Sequence, residues 1–126
     1  MTLQKTITAN HLRSKGNFFE NIAVQYLREK NFEILHRNFY VLHGEADIIA
    51  KDNSTLVFVE VKARTNNKFG APEESITLKK QRALRKTADI FILQHPEIHF
   101  IECRFDVIAI DYYANTTEIR HFIDAF

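Results

Sequence analysis

The sequence contains a single cysteine, Cys103, and this scarcity sets the first limits on what the protein can do. One thiol cannot form an internal disulfide, and it cannot supply the grouped ligands of a cysteine-based zinc motif. Cys103 alternates with Ile101 and Phe105 in a pattern typical of a strand, so we expect this thiol to be buried. Disulfide frameworks and cysteine-based zinc sites are therefore excluded.

Glycine and proline are also scarce, with three and two residues respectively, whereas 45% of the chain is apolar. This composition is typical of an ordered globular protein and excludes disordered and repeat classes. A length of 126 residues suits one compact domain, residues 1–126. The N-terminus lacks the apolar stretch of a secretory signal, and no run is long enough to span a membrane. We therefore expect a soluble, cytoplasmic protein without a membrane partner.

Charge of one sign does not dominate, because 17 Lys and Arg oppose 16 Asp and Glu. Bulk charge therefore predicts no nucleic-acid partner. A local excess of positive charge nevertheless runs from residue 62 to residue 86, opposed only by Glu73 and Glu74. Its members are Lys62, Arg64, Lys68, Lys79, Lys80, Arg82, Arg85 and Lys86. This excess would suit a polyanion, although a solvated, charged helix face produces the same pattern.

Hydrophobic periodicity predicts the order α-β-β-β-α-β with one further strand at the end. The first helix spans about residues 10–30 and stops at Asn31, and the second begins at Pro72 and ends near Gln94. The strands are predicted at about residues 32–37, 46–51, 55–64, 99–110 and 118–122. This order predicts an α/β fold with a mixed central sheet flanked by helices. Its first three strands form a meander, and the second helix crosses over to the fourth strand.

The third predicted strand combines apolar and charged residues in an informative way. Side chains alternate between the two faces of a strand, so Val57 and Val59 lie on one face, and Leu56 and Phe58 lie on the other. A strand that is apolar on both faces belongs in the interior of a sheet. The charged residues Glu60, Lys62 and Arg64 follow on the Leu56 face, so we expect them at a cleft.

Asp47, on the preceding strand, falls opposite Glu60 within a residue or two if a hairpin closes at residues 52–54. Two carboxylates held together repel each other, and a hard divalent cation relieves the repulsion. Asp47, Glu60 and the Val61 carbonyl would suffice for Mg²⁺ or Mn²⁺, and Lys62 would hold an attacking water. Taken separately, Glu-x-Lys is usually a surface ion pair, and a lone buried aspartate is usually a hydrogen-bonding anchor.

The combination describes the Pro-Asp…(Asp/Glu)-x-Lys signature of nucleases. Its elements are an acidic residue after a turn, an interval of thirteen positions from Asp47 to Glu60, and Glu-Val-Lys at the end of a hydrophobic strand. Ala46 occupies the proline position.

Four blocks with matching spacing extend this pattern into a family resemblance: Gly44–Ala50 (GEADIIA), Leu56–Arg64 (LVFVEVKAR), Phe69–Ser75 (FGAPEES) and Arg104–Ile110 (RFDVIAI). On these blocks the chain resembles the YraN family, a bacterial group of predicted endonucleases, from residue 16 to residue 110. The resemblance implies a restriction-endonuclease-like fold related to archaeal Holliday-junction resolvases.

Carried over by position, the resemblance implies that Asp47, Glu60 and Lys62 are catalytic and that Glu20 on the first helix completes the site. It implies a metal-dependent endonuclease acting on DNA, including branched or structured DNA. By analogy with resolvases, which cut two strands, it also implies a homodimer. For this activity we expect phosphate contacts from Arg64, Lys68, Lys79, Arg82 and Lys86.

Two other functions remain open at this point. The chain could be a catalytically inactive nucleic-acid-binding module of the same fold, which would retain DNA or RNA in a salt-dependent way without cutting it. It could also be an interaction protein in which the cleft carboxylates only stabilise the sheet. Neither metal nor nucleic acid would then bind.

Overall fold

The computed structural model describes residues 9–65 and 76–126, with side chains described from residue 17 onward. Its elements are α1 (Ala9–Glu29), β1 (Glu33–Val41), β2 (Gly44–Asp52), β3 (Thr55–Arg64), α2 (Leu78–Gln94), β4 (Glu102–Tyr113) and β5 (Thr116–Phe122). The predicted order of elements is confirmed. In this described part of the chain, neither helix has the length and apolar character needed to cross a membrane.

The five strands form one mixed sheet in the order β1-β2-β3-β4-β5. The first three strands are an antiparallel meander, β4 pairs parallel to β3, and β5 returns antiparallel to β4. A parallel pair needs a crossover connection, and α2 lies within it. The predicted α/β class, meander and crossover are confirmed, and the arrangement is compatible with a restriction-endonuclease-like core.

Each face of the sheet has its own hydrophobic cluster. α1 buries Phe19, Ala23 and Leu27, which recur every fourth residue on one helical stripe. They pack on strand residues of one face: Ile48, Ala50, Val57, Val59, Ile108 and Ile110. On the opposite face, Leu84, Ala88 and Phe91 of α2 pack with Leu56 and Phe58. The predicted burial of β3 on both faces is therefore confirmed.

Asparagines in the left-handed region define two of the predicted boundaries. Asn31, with φ of 69°, ends α1, and the Phe32 N–H donates to the Leu27 carbonyl at 3.0 Å. This backbone bond closes the last turn of the helix in the manner of a Schellman motif. Asn53, with φ of 55°, lies in the turn that places Asp52 opposite Thr55. Both the helix stop and the β2–β3 hairpin were predicted.

The start of the second helix differs from the prediction. Ile76 and Thr77 are not helical, and α2 begins at Leu78. The Thr77 hydroxyl accepts a hydrogen bond from the Lys80 backbone N–H at 3.1 Å, so Thr77 is the N-cap. The prediction of a helix from Pro72 was wrong at Ile76, which is not helical. Thr77 caps the helix, and this capping residue was not used in the prediction. Pro72 itself lies outside the described residues.

Cys103 is exposed, so the prediction of a buried thiol was wrong. The strand also begins at Glu102 rather than at His99, and the Ile101 N–H instead donates to the Ser54 carbonyl at 2.8 Å. The alternation with Phe105 holds, since Phe105 is buried. However, Cys103 is the second residue of β4, and the α2 side chains near it are the charged Arg85 and Asp89.

Asp106 is the centre of a buried ionic cluster between β4 and β5. Its carboxylate is fully buried and accepts hydrogen bonds from Arg104 Nε at 2.9 Å, from the Asp124 backbone N–H at 3.0 Å and from His121 Nε2 at 2.7 Å. Burial alone would raise the pKa of Asp106, but the hydrogen bonds from His121 and Arg104 hold it below its ordinary value. Asp106 is thus the shared acceptor for the basic side chains of Arg104 and His121.

Candidate active site

Asp47 and Glu60 meet where β2 and β3 begin to separate. The paired register ends with Ile48 opposite Val59, so the next residues, Asp47 and Glu60, face each other across the two strands. Asp47 Oδ2 accepts a hydrogen bond from the Val61 backbone N–H at 2.8 Å, which fixes the carboxylate against β3. The predicted juxtaposition of these two acids is therefore present.

Two lysines approach the Glu60 carboxylate from different elements. Lys62 Nζ lies 3.6 Å from Glu60 Oε2, as expected for residues two apart on one face of a strand. Lys80 Nζ, from the first turns of α2, lies 3.5 Å from the same oxygen. The side chains of Glu60 and Lys62 are 14% and 20% exposed, so this is not the solvated surface pair that Glu-x-Lys usually forms.

The ionisation of the site is strongly perturbed. Burial and the negative charge of Glu60 raise the pKa of Asp47 from 3.8 to about 7, despite the opposing hydrogen bond from Val61. Burial lowers the pKa of Lys62, and its hydrogen bond with Lys80 lowers it further. The pKa of Lys80 is raised by its hydrogen bond with Lys62 and by the negative charge of Glu60. Burial is the largest cause of the shifts of both Asp47 and Lys62, so the site disfavours charge on either group.

Glu20 of α1 is buried beside Asp47 and is not a plain helix-surface glutamate. Its side chain is 7% exposed, and its Oε1 accepts hydrogen bonds from Arg37 Nε and Asn38 Nδ2, each at 2.9 Å. Asn38 has a φ of 54°, a backbone conformation that asparagine tolerates better than most residues. These bonds fix Glu20 against β1. Its direct part in catalysis stays a prediction.

The acids line two connected depressions on either side of the sheet end. One, of about 520 Å³, lies between β2, β3 and α2 and is lined by Asp47, Glu60 and Lys80. The other, of about 260 Å³, lies towards α1 and is lined by Asp47 and Glu20. Asp47, Glu45 and Tyr40 border both. Asp47 is thus within reach of a ligand from either side.

Gly44 allows α2 to approach this end of the sheet. A Cβ atom at Gly44 would collide with Thr87 Oγ1 and would lie 3.3 Å from the Ala83 carbonyl oxygen. Since Thr87 Oγ1 already donates to that carbonyl at 2.8 Å, neither group can withdraw easily. The close packing of β2 on α2 sets the height of the helix above the sheet, and with it the position of Lys80 near Glu60.

The predicted nucleic-acid-binding residues fall into three groups. Lys79, Arg82 and Lys86 are exposed and lie along one side of α2, and Lys79 lines the larger depression. Arg64 is instead held in an ion pair with Asp111 at 3.1 Å, and its side chain is 19% exposed. Lys68 lies outside the described residues. Among the predicted residues that the structure describes, the exposed cations therefore lie on the helix rather than at the end of β3.

The donor set at the sheet end suits a hard divalent cation. Within residues 17–65 and 76–126, no group of three or more His, Cys, Asp or Glu side chains is arranged to hold a metal ion. Mg²⁺, however, takes only one or two protein carboxylates and completes its shell with water. Burial and the negative charge of Glu60 raise the pKa of Asp47, and a bound divalent cation would lower it again. The carbonyl of Val61 stays a predicted third ligand.

Sequence reasoning did not assign Lys80 to the site. Lys80 belongs to the basic segment 62–86, but the sequence does not distinguish it from the other cations of α2. The structure shows its proximity to Glu60. Arg37 and Asn38, which bind Glu20, were also not assigned. Their contacts depend on how the two helices are placed against the sheet, which local periodicity does not encode.

Comparison with known proteins gives a consistent result across most of the chain. The model of a family described as "Uncharacterised protein family UPF0102" matches residues 19–110. A UPF0102 protein of Caldicellulosiruptor bescii is 46% identical over 118 residues, covering 92% of this chain and 99% of the relative. UPF0102 proteins of Syntrophomonas wolfei and Clostridioides difficile are each 40% identical over 114 residues, covering 90% of this chain and 98% and 97% of those relatives.

Proposed function

This chain belongs to the UPF0102 (YraN) family, and from the geometry of its candidate active site we propose that it is a metal-dependent endonuclease that hydrolyses phosphodiester bonds in DNA. The observation that carries the proposal is the meeting of Asp47 and Glu60 at the end of β3, with Lys62 beside them and the pKa of Asp47 raised to about 7. Two neighbouring acids and a lysine in a cleft, with a strongly raised pKa at one acid, are typical of a catalytic centre.

Asp47 and Glu60 would hold Mg²⁺ or Mn²⁺, with the Val61 carbonyl completing the protein ligands. The bound ion would supply a nucleophilic water near neutral pH and would polarise a phosphoryl oxygen. Lys62 would orient the attacking water and offset the negative charge that develops on the phosphorus oxygens. Lys80 would share the negative charge of Glu60 with Lys62.

Exposed cations of α2 would bind the DNA backbone next to the cleft. Lys79, Arg82 and Lys86 recur on one side of the helix, and Lys79 lines the depression that holds Asp47 and Glu60. Phosphate contacts of this kind position a duplex without reading its sequence. A homodimer would bring two such centres to two strands, as in resolvases.

The direct test is incubation of the purified protein with branched, single-stranded and duplex DNA in Mg²⁺ or Mn²⁺. We expect metal-dependent cleavage, and Lys62→Ala should lower the rate by about 10²- to 10³-fold because an electrostatic stabiliser is lost. Lys51→Ala, at the opposite end of β2, is the matched control and should cut normally. Absence of cleavage, or cleavage that Lys62→Ala leaves unchanged, would remove the proposal. Salt-dependent DNA retention without any product would identify an inactive binding module.

Replacing three cations of α2 with neutral residues should weaken binding to all DNA sequences by a similar factor. For the triple variant Lys79→Gln, Arg82→Gln, Lys86→Gln, the slope of log K against log salt should become shallower by about 2 to 3, because each phosphate contact contributes about 0.9. Fluorescence anisotropy with duplex DNA in EDTA, between about 50 and 200 mM salt, measures this slope. Lys30→Gln, just beyond the far end of α1, should leave it unchanged. An unaltered slope in the triple variant would assign DNA binding to another surface.

A further inference from the structure

The turn between β1 and β2 exposes two large apolar side chains next to the candidate active site. Tyr40 is 67% exposed and Leu42 is 83% exposed. We call residues Tyr40–Gly44 the hairpin tip. Apolar side chains exposed side by side at a functional cleft commonly mark a binding surface.

The hairpin tip is held in one conformation by its own backbone and by α2. Val41 pairs with Gly44, so Leu42 and His43 alone form the turn, with His43 at a φ of 67°. Gly44 is packed against Thr87 and Ala83 of α2. Tyr40 and Leu42 are therefore presented on a fixed support, which lowers the entropic cost of binding a ligand.

The position of Tyr40 connects the hairpin tip to the acids. Tyr40 lies opposite Glu45 in the β1–β2 ladder, and it lines the depression that also contains Asp47, Glu60 and Lys79. A flat ligand stacked on the exposed ring would place its attached groups over the two carboxylates. The opposite wall of the depression carries the positive charge that a phosphate requires.

We propose that the hairpin tip binds an unpaired base of DNA, with Tyr40 stacking on the base and Leu42 wedging against the adjoining base pair. This inference rests on the proposed function and adds a base-binding surface to its site, so the preferred substrate is a duplex interrupted by an unpaired base. Aromatic side chains stack on bases of any identity, and apolar wedges occupy steps where a duplex is opened. The preference would thus be for DNA structure and not for sequence.

Binding in EDTA to a duplex with one bulged 2-aminopurine, compared with the same fluorophore fully paired, tests the inference without cleavage. We expect the wild type to bind the bulged duplex about tenfold more tightly and to quench its fluorescence. Tyr40→Ala should lose most of both effects, Leu42→Ala should lose part of the affinity difference, and Tyr40→Phe should retain them. Ile101→Ala is the matched control, because Ile101 is 81% exposed and lies at the opposite end of the sheet.

Equal affinity for the two duplexes, or a preference that Tyr40→Ala leaves intact, would overturn the inference. Cleavage of either duplex after Mg²⁺ is added would still leave the proposed function standing. A structural preference without any metal-dependent cleavage would support the inference and reject the nuclease. A dimer that dissociates on Leu42→Ala, with unchanged DNA preference, would assign the hairpin tip to a second copy of the chain and overturn base stacking.

Discussion

Replacing Asp47 with asparagine is expected to stabilise the metal-free protein at about pH 8 while it greatly slows DNA cleavage. The pKa of Asp47 is raised from 3.8 to about 7 in the folded chain by burial and by Glu60. A carboxyl group whose folded pKa lies above its unfolded pKa contributes its full stability below about pH 4. That contribution is lost as the pH rises through about 7. Asparagine has the shape of the protonated acid, can still accept the Val61 N–H and carries no charge.

The free energy of unfolding of Asp47→Asn should therefore exceed that of the wild type by up to about 4 kcal/mol at pH 8 and by nearly nothing at pH 4. Urea denaturation in EDTA across this range measures the difference. Asp89→Asn, an exposed position on α2, should change stability by about 0.5 kcal/mol or less at either pH. A free energy of unfolding that Asp47→Asn instead lowers by the same amount at both pH values would mean that Asp47 serves as a hydrogen-bonding anchor. That result would contradict a cation site at this end of the sheet.

The same variant should lose cleavage by about 10³-fold, because a ligand to the ion is replaced by a neutral amide. It should also lose the stabilisation that we expect Mg²⁺ or Mn²⁺ to give the wild type, since a ligand that binds only the folded state raises its melting temperature. A substitution that raises the free energy of unfolding but lowers activity is typical of a functional site, where charged groups are kept at a cost in stability. A metal-induced rise in melting temperature that persists in Asp47→Asn would place the ion elsewhere.

Replacing Asp106 with alanine is expected to be among the most destabilising single changes in the described part of the chain. The Asp106 side chain is fully buried, and its removal leaves the guanidinium of Arg104, 17% exposed, and the imidazole of His121, 6% exposed, without their shared acceptor. Removing one partner of a buried ion pair costs about 3 to 5 kcal/mol because the remaining charge stays desolvated.

Asp52→Ala provides the matched control, because Asp52 binds the same Arg104 at 3.1 Å but is 31% exposed. Its removal should cost about 1 kcal/mol or less, as is usual for an ion pair open to water. Urea denaturation at pH 7 measures both variants. A cost for Asp106→Ala no larger than that for Asp52→Ala would mean that water enters the cluster and that Asp106 does not secure β5 to β4.

The residues that carry the candidate site were predictable to different degrees. Glu60 and Lys62 follow a strand that is apolar on both faces, so alternation alone placed them at a cleft, and the Asn53 turn set Asp47 opposite Glu60. Lys80 was not predictable in this way, since its distance from Glu60 depends on the packing of Gly44 against α2. The helix start was predictable in principle from the Thr77 cap and was nevertheless missed.

By itself, the sequence determined the order of elements, the hairpin register and the pairing of two acids with a lysine, because period-two and helical patterns and turn residues act over a few neighbouring positions. Only the tertiary structure decided that Lys80 approaches Glu60, that Arg37 and Asn38 hold Glu20, and that Cys103 stays exposed. Those outcomes depend on which strands each helix covers. Coverage is set by the volumes packed between helix and sheet, which residues far apart in the chain determine together.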